Sequence, residues 1–181
     1  MAGSVMRKII AAFFVLLSSV LVIASAKDGE WIKYASPEGR YEVSLPQEPK
    51  LSTQQRTAPT GENVPQYLAL ATEDSGAFIV GYFDYRSDMT FSIDNARDGM
   101  LEGSHATLLG EETISLEGSP GKQIKFLAKA NGLEFIDRAR LYDINRRVYV
   151  LQCIFPKDDD GSEILAKCAK FFDSFKVQPS R

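Results

Sequence analysis

The sequence predicts an α+β protein, an α/β/α sandwich with a central, mostly antiparallel, twisted sheet and helices on both faces. Three observations carry that expectation. The stretch Arg146 to Phe155, RRVYVLQCIF, is apolar on both alternating faces: Val148, Val150 and Ile154 on one, Tyr149, Leu151, Cys153 and Phe155 on the other. Such a strand belongs in the middle of a sheet, covered on both sides. Directly after it, Ser162 to Val177 puts Ile164, Leu165, Cys168, Phe171, Phe172 and Phe175 on one broad helical stripe. The segments before it are joined by short turns, which makes neighbouring strands antiparallel.

The elements follow in order. Lys27 to Glu30 is a polar leader and Trp31 to Tyr34 a short strand. Ser36-Pro37-Glu38-Gly39 is turn chemistry, with Pro presetting φ and Gly favouring a positive φ. Tyr41, Val43 and Leu45 alternate with polar residues in a strand closed by Pro46 and Pro49. Leu51 to Thr57 is polar and reads as an exposed edge strand, followed by a loop from Ala58 to Asn63. Val64 to Thr72 and Ala77 to Tyr85 form a hairpin about Glu73-Asp74-Ser75-Gly76, the second strand apolar on both faces. Ser92 to about Thr107 has helical spacing in Ile93, Ala96 and Met100, with Ser92 or Asp94 as its cap. A meander closes the sheet. Leu108 to Leu116 and Gln123 to Lys129 are joined at Gly118 to Gly121. Leu133 to Tyr142 follows Asn131-Gly132, a strong hairpin signal, and a turn at Asp143 to Asn145 leads to the central strand.

The chain has 181 residues, 44% hydrophobic and 25% charged, which suits one globular domain after a leader. Residues 1–26 read as a secretory signal peptide: Arg7 and Lys8, then the apolar run Ile9 to Ala24, then the A-x-A signal Ala24-Ser25-Ala26. The alternative is an uncleaved anchor, for which the run is a little short. Cleavage leaves residues 27–181 as a single domain, exported to the periplasm or secreted, with no membrane insertion. Arg7 and Lys8 are the leader's only charges, so the rest carries 19 basic and 24 acidic residues, a formal −5. That balance argues against nucleic acid, which asks for a basic stripe, and against docking on anionic lipid. Cys153 lies in the central strand and Cys168 on the helix stripe. In an oxidising compartment they either form a disulfide, stapling strand to helix for roughly 2–4 kcal/mol, or remain two buried thiols that act as small hydrophobes.

Several residues also carry a family likeness. Trp31, then Tyr34-x-Ser36-Pro37-Glu38-Gly39-x-Tyr41-x-Val43-x-x-Pro46, Gly118-x-Pro120-Gly121 before a strand, the Tyr142 to Cys153 hairpin and the terminal Phe172-Asp173-Ser174-Phe175-Lys176 resemble the PsbP-like family. That family is named for an extrinsic subunit of photosystem II and has many exported bacterial relatives. The resemblance spans nearly all of the mature chain. It implies an α/β/α sandwich about an antiparallel sheet and a non-enzymatic accessory role.

The residues themselves offer little catalytic chemistry. His105 is the sole histidine and has no metal-ligand spacing around it. It falls near a helix end, where an imidazolium favours the dipole. A hydrolase built on it is the weakest reading, since no G-x-S-x-G elbow is present. Asp158-Asp159-Asp160 with Glu163 misses the spacing of a calcium loop and suits a helix N-terminus instead, a weak surface divalent-ion site being the lesser reading. No cofactor is implied. Arg138, Arg140, Arg146 and Arg147 cluster on one hairpin and are the place to seek an anionic partner; the plainer alternative is a solvated face with cross-strand ion pairs. The leading expectation is a non-catalytic exported domain that engages another envelope protein. The second is a small-molecule binder with a crevice lined by Tyr82, Phe83 and Tyr142.

Overall fold

The structure is a computed structural model that describes residues 30–57, 63–73 and 75–178. The expected signal segment, most of the loop after Thr57, and Asp74 lie outside the described residues. β3 (Lys50–Thr57), β4 (Asn63–Glu73), β5 (Gly76–Asp84), β6 (Thr107–Leu116), β7 (Ser119–Ala130), β8 (Leu133–Ile144) and β9 (Arg147–Pro156) form one sheet in the order β3-β4-β5-β9-β8-β7-β6. Each neighbouring pair is antiparallel. β9 sits fourth, at the centre, and only Ile154 and Pro156 along it escape full burial.

The two faces of β9 are buried in two different clusters. Tyr149, Leu151, Cys153 and Phe155 pack with Phe78, Val80 and Tyr82 of β5 and with Ile164, Cys168, Phe171 and Phe172 of α2 (Ser162–Ser174). Val148 and Val150 pack with Ile124, Phe126, Ala139 and Leu141, and with Ala96 and Met100 of α1 (Ile93–Gly103). Cys153 and Cys168 are joined by a disulfide with their Cα atoms 5.7 Å apart, so strand and helix are tied as well as packed. Leu165, expected on the helix stripe, is 49% exposed and stands outside the seam.

The first strands do not extend the large sheet. β1 (Ile32–Ser36), β2 (Tyr41–Leu45) and β10 (Lys176–Val177) form a separate three-stranded sheet in the order β1-β2-β10. Tyr41, Val43 and Leu45 bury one side of that sheet against the α2 cluster. The second helix ends earlier than the expected Val177 for the same reason. Ser174 Oγ donates to Phe171 O at 2.7 Å and accepts from Ser44 N at 2.8 Å, which draws the chain alongside β2. Phe175 then turns extended, and Lys176 and Val177 pair with Glu42 and Tyr41. α1 is also shorter than expected. Ser92 caps it by accepting from Asn95 N, and Ser104 Oγ binds Met100 O at 2.6 Å at its far end. His105 takes φ 48°, and Thr107 is already paired in β6.

Three hairpins use consecutive positive-φ residues: Glu117-Gly118, Asn131-Gly132 and Asn145-Arg146. That pattern matches the right-handed twist of paired strands. It moves the first turn upstream of the expected Gly118 to Gly121, because Ser119, Pro120 and Gly121 are paired within β7. In the Ser36 to Gly39 turn the positive φ falls on Arg40, not on Gly39. Gly39 is required by space instead: a Cβ there would sit 2.5 Å from the Tyr41 ring. Gly76 is covered in the same way, its Cβ position 2.1 Å from the Phe155 ring.

Two outcomes follow. Replacing both Cys153 and Cys168 with Ala releases a link across 15 residues and should cost roughly 3 kcal/mol in a urea melt; equal midpoints for oxidised wild type and variant would contradict the staple. Gly76→Ala should cost about 1–3 kcal/mol by forcing the Phe155 ring aside, measured the same way against wild type; equal midpoints would contradict it.

Candidate functional site

The elements converge on a row of aromatic residues. In register across four adjacent strands, Tyr67 of β4 faces Tyr82 of β5, Tyr82 faces Tyr149 of β9, and Tyr149 faces Tyr142 of β8. Gly121 of β7 comes next and lets the Tyr142 ring lie across it, 2.5 Å from where a Cβ would stand. Tyr67 stacks on Tyr82 with centroids 5.0 Å apart. Phe175 covers the other end, parallel to Tyr142 and edge-on to Tyr149. Tyr41 from the small sheet reaches Tyr82, Tyr149 and Phe175. Burial pushes the phenols of Tyr41, Tyr82, Tyr142 and Tyr149 above their ordinary range, so they stay neutral.

At this row the large sheet holds the Ser36 to Gly39 turn. Tyr149 donates its hydroxyl to Gly39 O at 2.8 Å, and Arg147 Nη1 donates to Glu38 O at 2.7 Å. The same guanidinium donates Nε and Nη2 to both carboxylate oxygens of Asp84, each at 2.6 Å, and lies 4.8 Å above the Tyr82 ring. These hydrogen bonds hold the Asp84 carboxyl below the usual range and raise the Arg147 guanidinium above its own. Every donor direction used here serves the fold.

The four arginines of the expected anionic-partner patch are thus not gathered on one free surface. Arg147 is buried in the pair just described. Arg138 is paired with Asp160, which also accepts from Lys125 Nζ at 3.0 Å. Burial alone would raise the Asp160 carboxyl, but the hydrogen bonds from Lys125 and Arg138 bring it below its ordinary value. Arg140 donates to Gln123 and to Asp173, and covers the Phe172 ring at 4.8 Å. Arg146 is exposed in its hairpin turn, and no carboxylate among the described residues pairs with it. The acidic run is spread in the same way: Asp159 accepts from Ser75, Asp160 is held as above, and Glu163 pairs with Lys167. Among the described residues no group of three or more His, Cys, Asp or Glu is arranged to hold a metal. His105 is exposed on the turn after α1.

Tyr82, Phe83 and Tyr142 do not line one crevice. Tyr82 and Tyr142 are buried in the α2 cluster, whereas Phe83 packs beside the α1 cluster. Two surface depressions among the described residues lie elsewhere. One of about 500 Å³ is bordered by Asp84, Arg86, Asp88, Asn145 and Arg146. The other, about 380 Å³, is bordered by Ser75, Asp159, Ser162, Glu163 and Lys167.

One buried group was not singled out from the sequence. Asp137 is 3% exposed on the face that carries Phe126 and Ala139, and accepts from Gln152 Nε2 at 2.6 Å. Its Oδ1, and Oε1 of Gln152, have no partner among the described residues. Burial pushes this carboxyl up to about 7, against the smaller opposing effects of Gln152 and Arg138. The available signal was a lone acid on the otherwise apolar face Phe135, Ala139, Leu141.

The sequence matches no known family description and no curated protein. Solved structures give a likeness. Cyanobacterial PsbP (CyanoP) of Synechocystis sp. PCC 6803 superposes with a TM-score of 0.60 at 15% identity, covering 89% of this chain and 98% of its own. This is a PsbP-like fold. A protein of unknown function from Pseudomonas aeruginosa aligns at TM-score 0.49 and 15% identity, over 84% of this chain and 100% of its own. LpqN of Mycobacterium tuberculosis, a protein involved in cell envelope biogenesis, aligns at 0.48 and 12%, over 83% of this chain and 91% of its own. Within the PsbP-like fold of this chain, the turn that carried the sequence resemblance is the piece held by Arg147 and Tyr149.

The Asp137 site predicts a pH dependence. Its folded value, about 7, lies above the ordinary 3.8, so its contribution to stability is complete below pH 3.8 and is lost as pH rises to 7. Asp137→Asn supplies an amide donor for Gln152 Oε1 and cannot ionise. The variant should gain on the order of 4 kcal/mol over wild type above pH 7 and lose this part of the pH slope. Parallel urea melts at acid and neutral pH check it; identical slopes would refute it.

Proposed function

We propose that this chain is an exported, non-catalytic accessory domain that engages another envelope protein. The observation that carries this reading is where its reactive side chains are committed. Arg147, Asp84, Arg138, Asp160 and Arg140 are engaged with one another or with other groups of the fold, and the Tyr149 hydroxyl is engaged by Gly39. Groups so placed support a scaffold that presents surface, not one that turns over substrate. The disulfide supports an oxidising compartment. It agrees with residues 1–26 acting as a cleaved signal and 27–181 as one domain. We read the architecture as an α/β/α sandwich with α1 and α2 on opposite faces of the seven-stranded sheet. The division of β9 side chains between the α1 and α2 clusters supports that reading. The PsbP-like fold agrees with an accessory role.

The test is capture of the exported chain, after brief cross-linking, from the envelope of the cells that make it. One protein should be recovered reproducibly, and mass spectrometry should find the bait beginning at Lys27. A small molecule that co-purifies stoichiometrically in place of any protein would overturn the reading.

A further inference from the structure

The two edges of the large sheet are built differently. β3 is preceded by Pro49 and opens on the exposed Lys50, the kind of cationic guard that keeps an edge from pairing, while its Arg56 turns back to donate to Gln66 of β4. β6, the opposite edge, has neither Lys, Arg nor Pro along its ten residues. Only Ile114 and Leu116 of β6 are even partly covered. No described strand lies beyond it, so its outward N–H and C=O groups form a row about 33 Å long at the usual rise per residue. Leu108 and Leu109 are 39% and 50% exposed at one end, where a bulge breaks the register with β7.

Charge narrows the occupant. Glu111 is engaged by Arg97 and Lys122. Glu112, facing Gln123 across the ladder, has no ion pair among the described residues. Glu111 and Glu112 stand at the middle of β6, so centred antiparallel pairing of two copies would set carboxylates against each other. A cationic side chain on an incoming strand meets Glu112 favourably.

We propose that β6 is the docking edge of this domain, where an extended basic segment of its protein partner adds as a further strand. This rests on the partner-binding reading above and names its site. Main-chain hydrogen bonds supply the affinity, while Leu108, Leu109 and Glu112 supply the selection.

The probe is a synthetic octapeptide, Thr-Lys-Val-Thr-Val-Lys-Val-Thr, added to the exported chain and followed by hydrogen exchange and fluorescence anisotropy. Saturable binding is expected, with exchange slowed at alternate amides of β6 and not of β3. Glu112→Lys should weaken it about fivefold, and Leu109→Asp should weaken it as well, with urea melts unchanged for both. Protection of β3, of neither edge at about 1 mM peptide, or of β6 by self-association without peptide overturns the proposal. Repeating the envelope capture with both variants separates the two ideas. A partner still captured in full by both leaves the accessory reading standing and removes the edge. Peptide protection of β6 with no envelope protein captured leaves the edge and removes the accessory reading.

Discussion

β9 has no solvent side, and the remaining elements are arranged by that constraint. A strand with apolar groups on both faces is stable only when both are covered, each large side chain contributing roughly 1.5–3 kcal/mol when removed from water. Its neighbours β5 and β8 fill its hydrogen-bonding edges, and its alternate side chains are buried in two separate apolar clusters. The short 3-10 turn at Lys157–Asp159 returns the chain at once, so α2 packs on the strand that precedes it. Cys153, fully buried in β9, ties that return in place through Cys168. The order of events along the chain, strand then helix, thus becomes a covalent as well as an apolar seam.

The same strand fixes the second sheet. Arg147 and Tyr149 sit on the β9 face that carries Leu151 and Cys153, and both reach the turn that joins β1 to β2. Taking a guanidinium out of water is costly unless it is paired and bonded. Here Asp84, Glu38 O and the Tyr82 ring meet it from three sides. The turn has little choice of path: Ser36 Oγ accepts from Gly39 N, and the Tyr41 ring leaves no room for a side chain at Gly39. Arg40 takes the positive φ that remains. A motif that reads in sequence as a simple reversal is therefore a plug whose backbone oxygens are read by the central strand.

Period and turn chemistry made much of this legible. The two-faced pattern of residues 148–155 gave β9 its central place, and Asn131-Gly132 marked the β7–β8 hairpin directly. What failed was local in appearance and tertiary in cause. Phe175 fits the helical stripe, yet Ser174 and the β2 backbone pull it out of the helix into the aromatic row. The β1–β2 hairpin has ordinary strand alternation, which does not say that it would stack on the large sheet instead of joining its edge. The arginine cluster illustrates the same limit at the candidate site. Alternation puts Arg138 and Arg140 on one face, but their partners Asp160 and Asp173 come from the segments about α2. Pairing with distant segments thus engages these two arginines within the fold.

The division of labour within the sheet follows from the same accounting of polar groups. Arg147, the Tyr149 hydroxyl and the arginines of β8 are held by the fold. The Asp137–Gln152 pair keeps unmatched acceptors, but it lies deep under the α1-side face and not at the surface. The backbone groups that face away from the ladder lie at its two edge strands. Of the two places where it stops, β3 opens on a lysine of its own, whereas β6 has no cationic residue along its length. The bulge after Leu108 twists the start of β6, which limits indiscriminate pairing while turning Leu109 outward. An edge with a local bulge and a central acidic pair is neither fully blocked nor fully permissive. Its backbone row is general and its side chains are selective, and that combination distinguishes a recognition edge from an aggregation hazard.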